Sequence, residues 1–397
     1  MVNITASLYI HVPFCAKKCD YCDFYSVPVM RNSDAQALMD LYIDAVLCDI
    51  EGQIRLFNVD TVPSVYIGGG TPSVLGARRM ERLLTRIKTL LANTDAAPVE
   101  FTVEANPESI DEAFLRACIE GGVSRISLGV QSFHEESRNA VHREGSRAQI
   151  ENALALVGRY YPDAFSADLI TGLPFQTEAV VCRDIKQLLS FRPAHVSLYS
   201  LILEPQTPLG MKTDSGSVVL PSPDEADSLW LEGRDLLENS GYSQYEVSNF
   251  CLPGKICAHN KRYWRMENWL GAGPAASGTI IDDQTGTGKR FTYPCDIESY
   301  LKTPRPGISS AVVEELSGED LIKETLLMGF RHCEGVDEEL FKQRFGRRIE
   351  ELIPGTIARW GKRDFFQTGR GLRPSKQGLL FVNGFLREAF KELGMRN

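Results

Sequence analysis

Long apolar runs are missing from this sequence. No stretch approaches about 18 uninterrupted apolar residues, so no transmembrane helix is expected. Met1 to Ser7 shows neither the basic start nor the apolar centre of a secretory signal, so none is expected. Basic excess is also missing: 43 Lys and Arg face 52 Asp and Glu, a net charge of -9. That balance argues against whole-protein attraction to nucleic acid or anionic lipid. Ten Cys in 397 residues are too few for a disulfide scaffold. Solenoid repeats and low-complexity tracts are absent. What remains is an ordinary globular composition, 43% hydrophobic and 24% charged. The length suggests two or three domains and suffices to bury about three-quarters of the unfolded surface without staples. A cytoplasmic protein with reduced thiols is expected, where a tight Cys cluster reads as a metal site rather than a disulfide.

Short strand-like runs alternate with helical periods. Leu8–Val12, Val65–Ile67, Glu100–Glu104, Arg125–Val130, Ala167–Ile170 and His195–Tyr199 read as strands. Ala37–Phe57, Arg78–Ala92, Ile110–Glu120, Ile150–Val157 and Glu178–Leu189 read as helices. Six repeats of this kind predict an α/β fold, a partial (β/α)6 barrel of parallel strands, with site residues at the C-terminal strand ends. Residues 1–210 form this barrel. After Pro205 the pattern breaks, and 211–223 reads as a loop before a helix over Asp224–Glu238. Residues 282–296 read as a hairpin or excursion. Residues 211–303 form an extension, and Pro304–Gly307 is the best linker. The remainder, 304–397, reads as a helical domain: helices over Gly318–Phe330, Asp337–Phe345 and Ile349–Arg359, a hairpin over Phe365–Pro374, and a last helix over Ser375–Leu393. This order suggests a winged-helix-like tail. Residues 340–397 hold thirteen Lys and Arg against five Asp and Glu. That basic surface serves docking as readily as nucleic acid.

Cys15, Cys19 and Cys22 stand at C-x3-C-x2-C directly after the first strand. Thiolates are soft ligands for zinc or iron–sulfur clusters. Structural zinc wants four protein ligands, and ordinary clusters take four Cys. Three thiols in one short loop point to a 4Fe-4S cluster with one iron left open. A zinc completed by a remote residue such as His11 is the alternative. Gly68-Gly69-Gly70-Thr71-Pro72 follows the second strand, where the missing Cβ lets backbone approach a ligand. Glu104, Gln131, Arg143 and Asp168 lie at or just beyond later strand ends. Carboxylates there suit ribose hydroxyls or an ammonium, and an arginine suits a carboxylate.

The cysteine loop resembles that of the radical S-adenosylmethionine (SAM) superfamily, whose open iron is chelated by SAM. The segments Tyr9–Cys15, Tyr66–Pro72, Ser127–Phe133 and Asp168–Pro174 resemble the oxygen-independent coproporphyrinogen III dehydrogenase family. That resemblance implies SAM contacts at Tyr9, Tyr21, Gly69, Gly70, Thr71, Glu104, Gln131, Arg143 and Asp168. Two departures separate this sequence from the dehydrogenases: Phe24 replaces a further Cys, and Cys15 comes almost at once. Both resemble the heme chaperone (HemW) branch. Cys257-Ala258-His259-Asn260-Lys261-Arg262-Tyr263-Trp264 is similar to that branch's H-N-x-x-Y-W signature, which implies heme contacts at His259, Tyr263 and Trp264. Pro274 and Trp269 depart from the branch's usual residues nearby. The other cysteines and histidines read as packing residues. The resemblance therefore implies cluster, SAM and heme as bound groups, an electron donor, a heme-accepting protein, and a monomer or homodimer without nucleic acid. The rival is the dehydrogenase itself, disfavoured by Phe24 and the short N-terminus.

Overall fold

The computed structural model describes residues 3–29, 33–92, 94, 97–302, 308–369 and 371–394. The expected linker, Pro304–Gly307, lies outside the described residues. Six parallel strands stand side by side in chain order: β1 (Ser7–Val12), β2 (Ser64–Gly69), β3 (Glu100–Ala105), β4 (Arg125–Gln131), β5 (Phe165–Thr171) and β6 (His195–Ser200). The principal helices between them are α1 (Ser33–Leu56), α2 (Gly76–Leu91), α3 (Glu112–Glu120), α4 (Glu135–Ala140), α5 (Arg147–Tyr160) and α6 (Glu178–Leu189). Asp111, Ser146 and Thr177 accept backbone N–H bonds at the starts of α3, α5 and α6, which fixes where those helices begin.

Side-chain alternation decides what kind of barrel this is. Leu8, Ile10, Val65, Ile67, Phe101, Val103, Ile126, Leu128, Val196 and Leu198 are fully or almost fully buried in the core between strands and helices. The intervening residues are polar: Tyr9 and His11, Tyr66, Thr102 and Glu104, Ser127, Ser166 and Asp168, His195 and Ser197. Two faces of one strand point opposite ways, so the apolar residues bind the helices while the polar ones line the concave interior. An ordinary eight-stranded barrel fills that interior with aliphatic layers. This one leaves a chamber suited to a polar ligand.

The sheet continues past both barrel edges. Beyond β6 lie α7 (Pro208–Asp214), α8 (Pro223–Asn239), β7 (Ser243–Gln244) and β8 (Asn249–Cys251), the last antiparallel to β6. After α9 (Ala258–Trp264), β9 (Trp269–Ala272) runs parallel to β1. It is followed by antiparallel β10 (Ser277–Asp282), β11 (Thr287–Thr292) and β12 (Val312–Leu316). Among the described residues this makes one twelve-stranded sheet, running through all three expected segments.

The tail is helical: α11 (Gly318–Gly329), α12 (Glu338–Phe345), α13 (Ile349–Leu352), α14 (Pro354–Gly361), α15 (Lys376–Leu380) and α16 (Val382–Glu392), with α10 (Ile297–Lys302) before it. Its core is aromatic, with Phe365 stacked on Phe385 at 4.3 Å between ring centroids. Three expectations need correction. The loop expected from 211 is preceded and overlapped by α7, which Thr207 caps. The helix expected over Ile349–Arg359 divides at Pro354, which lacks an N–H for the helical ladder. The expected hairpin reduces to a single antiparallel bridge, Phe366 with Pro374.

Candidate functional site

The cysteine loop is pinned at its neck by backbone, not by its thiols. Phe14 and Cys15 pair in parallel with Val27 and Pro28, and the N–H of Val29 donates to the Cys15 carbonyl at 2.9 Å. The glycine turn after β2 locks onto the same neck. The N–H of Gly70 donates to Val12 O at 2.8 Å, and that of Thr71 to Phe14 O at 2.7 Å. A Cβ on Gly70 would stand 2.7 Å from Phe14 O, so only glycine permits this approach. Gly69 has φ +105°, a conformation that glycine adopts readily.

The three thiols face two polar donors from the barrel. Thr71 Oγ1 donates to Cys15 Sγ at 3.4 Å, and Arg143 Nη1 to Cys19 Sγ at 3.6 Å. Cys15 and Cys19 are buried and Cys22 half-buried. Burial raises the Cys15 thiol and pushes Cys22 up to about 11, with the neighbouring thiols adding to both. Thiolates here therefore need a strong positive partner. Among the described residues no group of three or more His, Cys, Asp or Glu is gathered closely enough for a single metal ion. Three thiols in one short loop are a donor set that a 4Fe-4S cluster would accept.

The expected SAM residues converge above the chamber. Glu104, at the end of β3, accepts from Tyr66 Oη at 2.7 Å and from the Gly69 N–H at 3.1 Å. Asp168 accepts from Ser127 Oγ at 3.3 Å. Tyr9 packs against Tyr66, their ring centroids 6.3 Å apart. Tyr21 lies on the apolar cluster of Val141, Leu173 and Leu209. Arg143 is wedged between Gly129 O at 2.7 Å and Asn106 Oδ1 at 2.8 Å. Burial works against its charge, but Tyr21, Cys19 and Glu108 outweigh that and hold the guanidinium protonated. Buried polar atoms here that lack partners among the described residues include Gln131 Oε1 and Arg143 Nε. Gln131 also holds φ +67°, strained for a side chain of its kind. Orphaned donors and acceptors around a strained residue fit a polar ligand such as SAM. Asn106, which donates to Thr71 Oγ1 at 2.9 Å and orients Arg143, was not anticipated. Its only sequence signal is its place in Glu104-Ala105-Asn106-Pro107.

Burial pushes Glu104 up to about 7 and Asp168 up to about 6, against the bonds that favour their charged forms. Glu104 has an ordinary value of 4.5. Between 4.5 and about 7 the native state keeps a proton that the unfolded chain has lost. Its contribution to stability therefore falls as pH rises through that window. Glu104→Gln removes the titration. The stability of this variant relative to wild type should rise with pH across that window, by at most roughly 1.4 kcal/mol per pH unit. Urea unfolding of both proteins at several pH values checks this, and a flat difference would show that Glu104 ionises freely.

The expected heme contacts stand elsewhere. Helix α9 lies under the N-terminal strand ends, at the opposite end of the barrel from the cysteines. The Glu100 carboxylate, at the start of β3, accepts from Cys257 Sγ at 3.2 Å and from the Ala258 and His259 N–H groups at 3.0 Å each. His259 is 1% exposed. Its Nδ1 meets Ser64 Oγ at 2.9 Å, its Nε2 meets Tyr263 Oη at 3.2 Å, and its ring packs under Tyr66. Trp264 lines a crevice with Gly329, Val336 and Phe341 of the tail. His259, Tyr263 and Trp264 thus gather at the barrel floor, where both ring nitrogens of His259 meet hydroxyl groups.

Residues 9–188 match the model of the radical SAM superfamily, and residues 316–381 that of the HemN C-terminal domain. Heme chaperone HemW of Lactococcus lactis is 35% identical, the match covering 89% of this chain and 90% of that one. HemW of Buchnera aphidicola is 33% identical over 96% and 97% of the two chains. The mitochondrial radical SAM domain-containing protein 1 of Bos taurus is 34% identical over 96% and 86%. Among solved structures, coproporphyrinogen III oxidase (HemN) of Escherichia coli shares the fold, with a TM-score of 0.78 at 22% identity over 98% and 90% of the chains. Among the described residues no helix is long and apolar enough to cross a membrane. Radical SAM membership implies a 4Fe-4S cluster and SAM, which the thiol loop and the strand-end set fit. A superfamily domain with a HemN-type tail, matched end to end by HemW proteins, places this chain in the radical SAM superfamily as a member of its HemW family.

Proposed function

We propose that this chain is a heme chaperone: it binds a 4Fe-4S cluster, SAM and heme, and hands the heme to an acceptor protein. End-to-end likeness to proteins named heme chaperone HemW carries the reading, because it spans the cysteine loop, the barrel and the tail alike. Cys15, Cys19 and Cys22 would hold the cluster. Tyr9, Tyr21, Gly69, Gly70, Thr71, Glu104, Gln131, Arg143 and Asp168 would surround SAM. When bound, the reduced cluster supplies an electron for SAM cleavage. The chain's own part is to bury the thiols, to keep Arg143 charged beside Cys19, and to leave one polar side of the chamber open to the sulfonium nucleoside. Phe24, 65% exposed on the cysteine loop, offers an apolar ring beside the mouth, which suits a flat macrocycle. A cytoplasmic location, a separate electron donor and a monomer or homodimer without nucleic acid belong to the same reading.

The rival, coproporphyrinogen III dehydrogenation, shares the fold. The two separate in one preparation. After anaerobic cluster reconstitution, the wild type should bind about one heme per chain. It should convert no coproporphyrinogen III beyond a no-protein control, even with SAM and reductant. Turnover without heme binding would make the rival correct.

A further inference from the structure

We infer that Tyr66 couples two sites: SAM at the strand ends tightens the hold on heme at α9, with Tyr66 as the positioning residue between them. The inference rests on the heme-chaperone reading, with α9 as the heme-binding helix, and adds how one bound group governs the other.

Tyr66 stands in the middle of β2 with its side chain in the barrel interior, and that side chain meets both sites. Its Oη donates to Glu104 Oε1 at 2.7 Å, while the other carboxylate oxygen accepts from the Gly69 N–H at 3.1 Å. Glu104 and Gly69 both belong to the expected SAM set. The Tyr66 ring packs on the His259 ring, with centroids 5.1 Å apart and planes at 30°. His259 in turn meets Tyr263 edge-on, at 5.0 Å between centroids. One aromatic side chain therefore joins the SAM carboxylate to the helix that carries the H-N-x-x-Y-W residues.

The chamber around Tyr66 is walled by Glu104 and Asp168 toward the strand ends and by Cys257 and Asn260 toward α9. It offers only about 40 Å³, room for water but not for a second organic ligand. Communication between the two sites therefore runs through side chains rather than through a shared ligand.

The carboxyl of Glu104 provides the two states. Burial pushes it up to about 7, with Asp168 adding to the effect, so near neutrality it exists in both forms. A sulfonium nucleoside brings positive charge and hydrogen-bond donors, and both favour the ionised form. A bond from the Tyr66 hydroxyl to a carboxylate is charge-assisted and roughly twice as strong as one to a neutral acid. SAM thus fixes Tyr66, and Tyr66 fixes the His259 ring that it carries. Heme then meets a floor already ordered, so less of its binding free energy goes into ordering it. By linkage, heme must tighten SAM by the same factor.

The test is heme titration of the cluster-loaded full chain, oxidised and without reductant so that SAM stays intact. The Soret band gives the heme Kd with and without saturating SAM. In the wild type SAM should lower that Kd by at least about fivefold. Heme should lower the SAM Kd, measured by equilibrium dialysis, by the same factor. In Tyr66→Phe, which keeps the ring and loses the hydroxyl, the effect of SAM on the heme Kd should shrink to within about twofold. A tyrosine that only supports the fold would change affinities without abolishing this ratio. A smaller wild-type effect, a weakening of heme binding by SAM, or a larger effect retained in Tyr66→Phe would each overturn the inference. Should Tyr66→Phe not fold, Glu104→Gln decides: its amide cannot ionise, so saturating SAM should leave the heme Kd unchanged, and a retained effect would overturn the coupling. A wild type that binds SAM but no heme would instead remove the heme-chaperone reading on which the inference stands.

Discussion

Cys19→Ala, reconstituted anaerobically, should retain only a small fraction of the roughly four irons per chain expected of the wild type. Its reduced form should show no cluster EPR signal for SAM to alter. The same result is expected for Cys15→Ala and Cys22→Ala, because each thiol would hold a separate corner of the cluster. The neck of the loop is secured by backbone bonds from Val27, Val29, Gly70 and Thr71, so the empty variants should remain folded. Cys48→Ala is the control. Cys48 is exposed on α1, away from the loop, and its loss should leave the iron content unchanged. Iron analysis with circular dichroism decides the matter. Full iron content in Cys19→Ala, or zinc in wild type purified under strict anaerobiosis, would dismiss the three-thiol cluster.

Glu100→Ala should be the most destabilising single change at the barrel floor. The carboxylate is buried and satisfies a thiol and two backbone N–H groups at the start of α9. It also faces the buried Arg125, whose charge it supports. Removing it leaves a thiol and two backbone N–H groups without their acceptor. An unsatisfied buried donor costs about 1–3 kcal/mol. Urea unfolding at neutral pH measures this, and a loss under about 1 kcal/mol would mean that α9 is held by its aromatic packing alone. The same variant bears on the motif. If Glu100→Ala unfolds easily but binds heme normally at low temperature, the H-N-x-x-Y-W segment is architecture.

The strand order was legible because each strand carries its pattern in plain view: Ser7-Leu8-Tyr9-Ile10-His11-Val12 alternates as a two-faced strand must. The cysteine spacing and the glycine turn were legible for a related reason, since both are local in the chain. Arg143, far from the loop in sequence, lies beside Cys19 because two strand ends bring it there; the sequence marked it as a strand-end residue suited to a carboxylate, not as a partner of the thiol. The fate of His259 was not legible. Its partners, Ser64 and Glu100, lie 195 and 159 residues away, and no local pattern reveals that α9 folds under the barrel. The winged-helix hairpin failed through turn chemistry: Gly369 and Gly371 both adopt positive φ, and Pro374 has no N–H to extend a ladder.

Among the described residues the twelve-stranded sheet has two free ends, and any open strand edge invites a second chain to add itself. At one end β7 has only two residues, too short to template a partner. At the other, β12 is longer and carries exposed Val312 and Val313, the composition of an aggregation-prone edge. Glu314 and Glu315 follow immediately, with Glu315 paired to Lys289 on β11. Two copies meeting edge to edge would bring these carboxylates together, so like charge guards the end that brevity does not. Brevity and like charge thus disfavour strand addition at the two ends by unequal means, and neutralising Glu314 and Glu315 should leave the valines as a seed for strand addition.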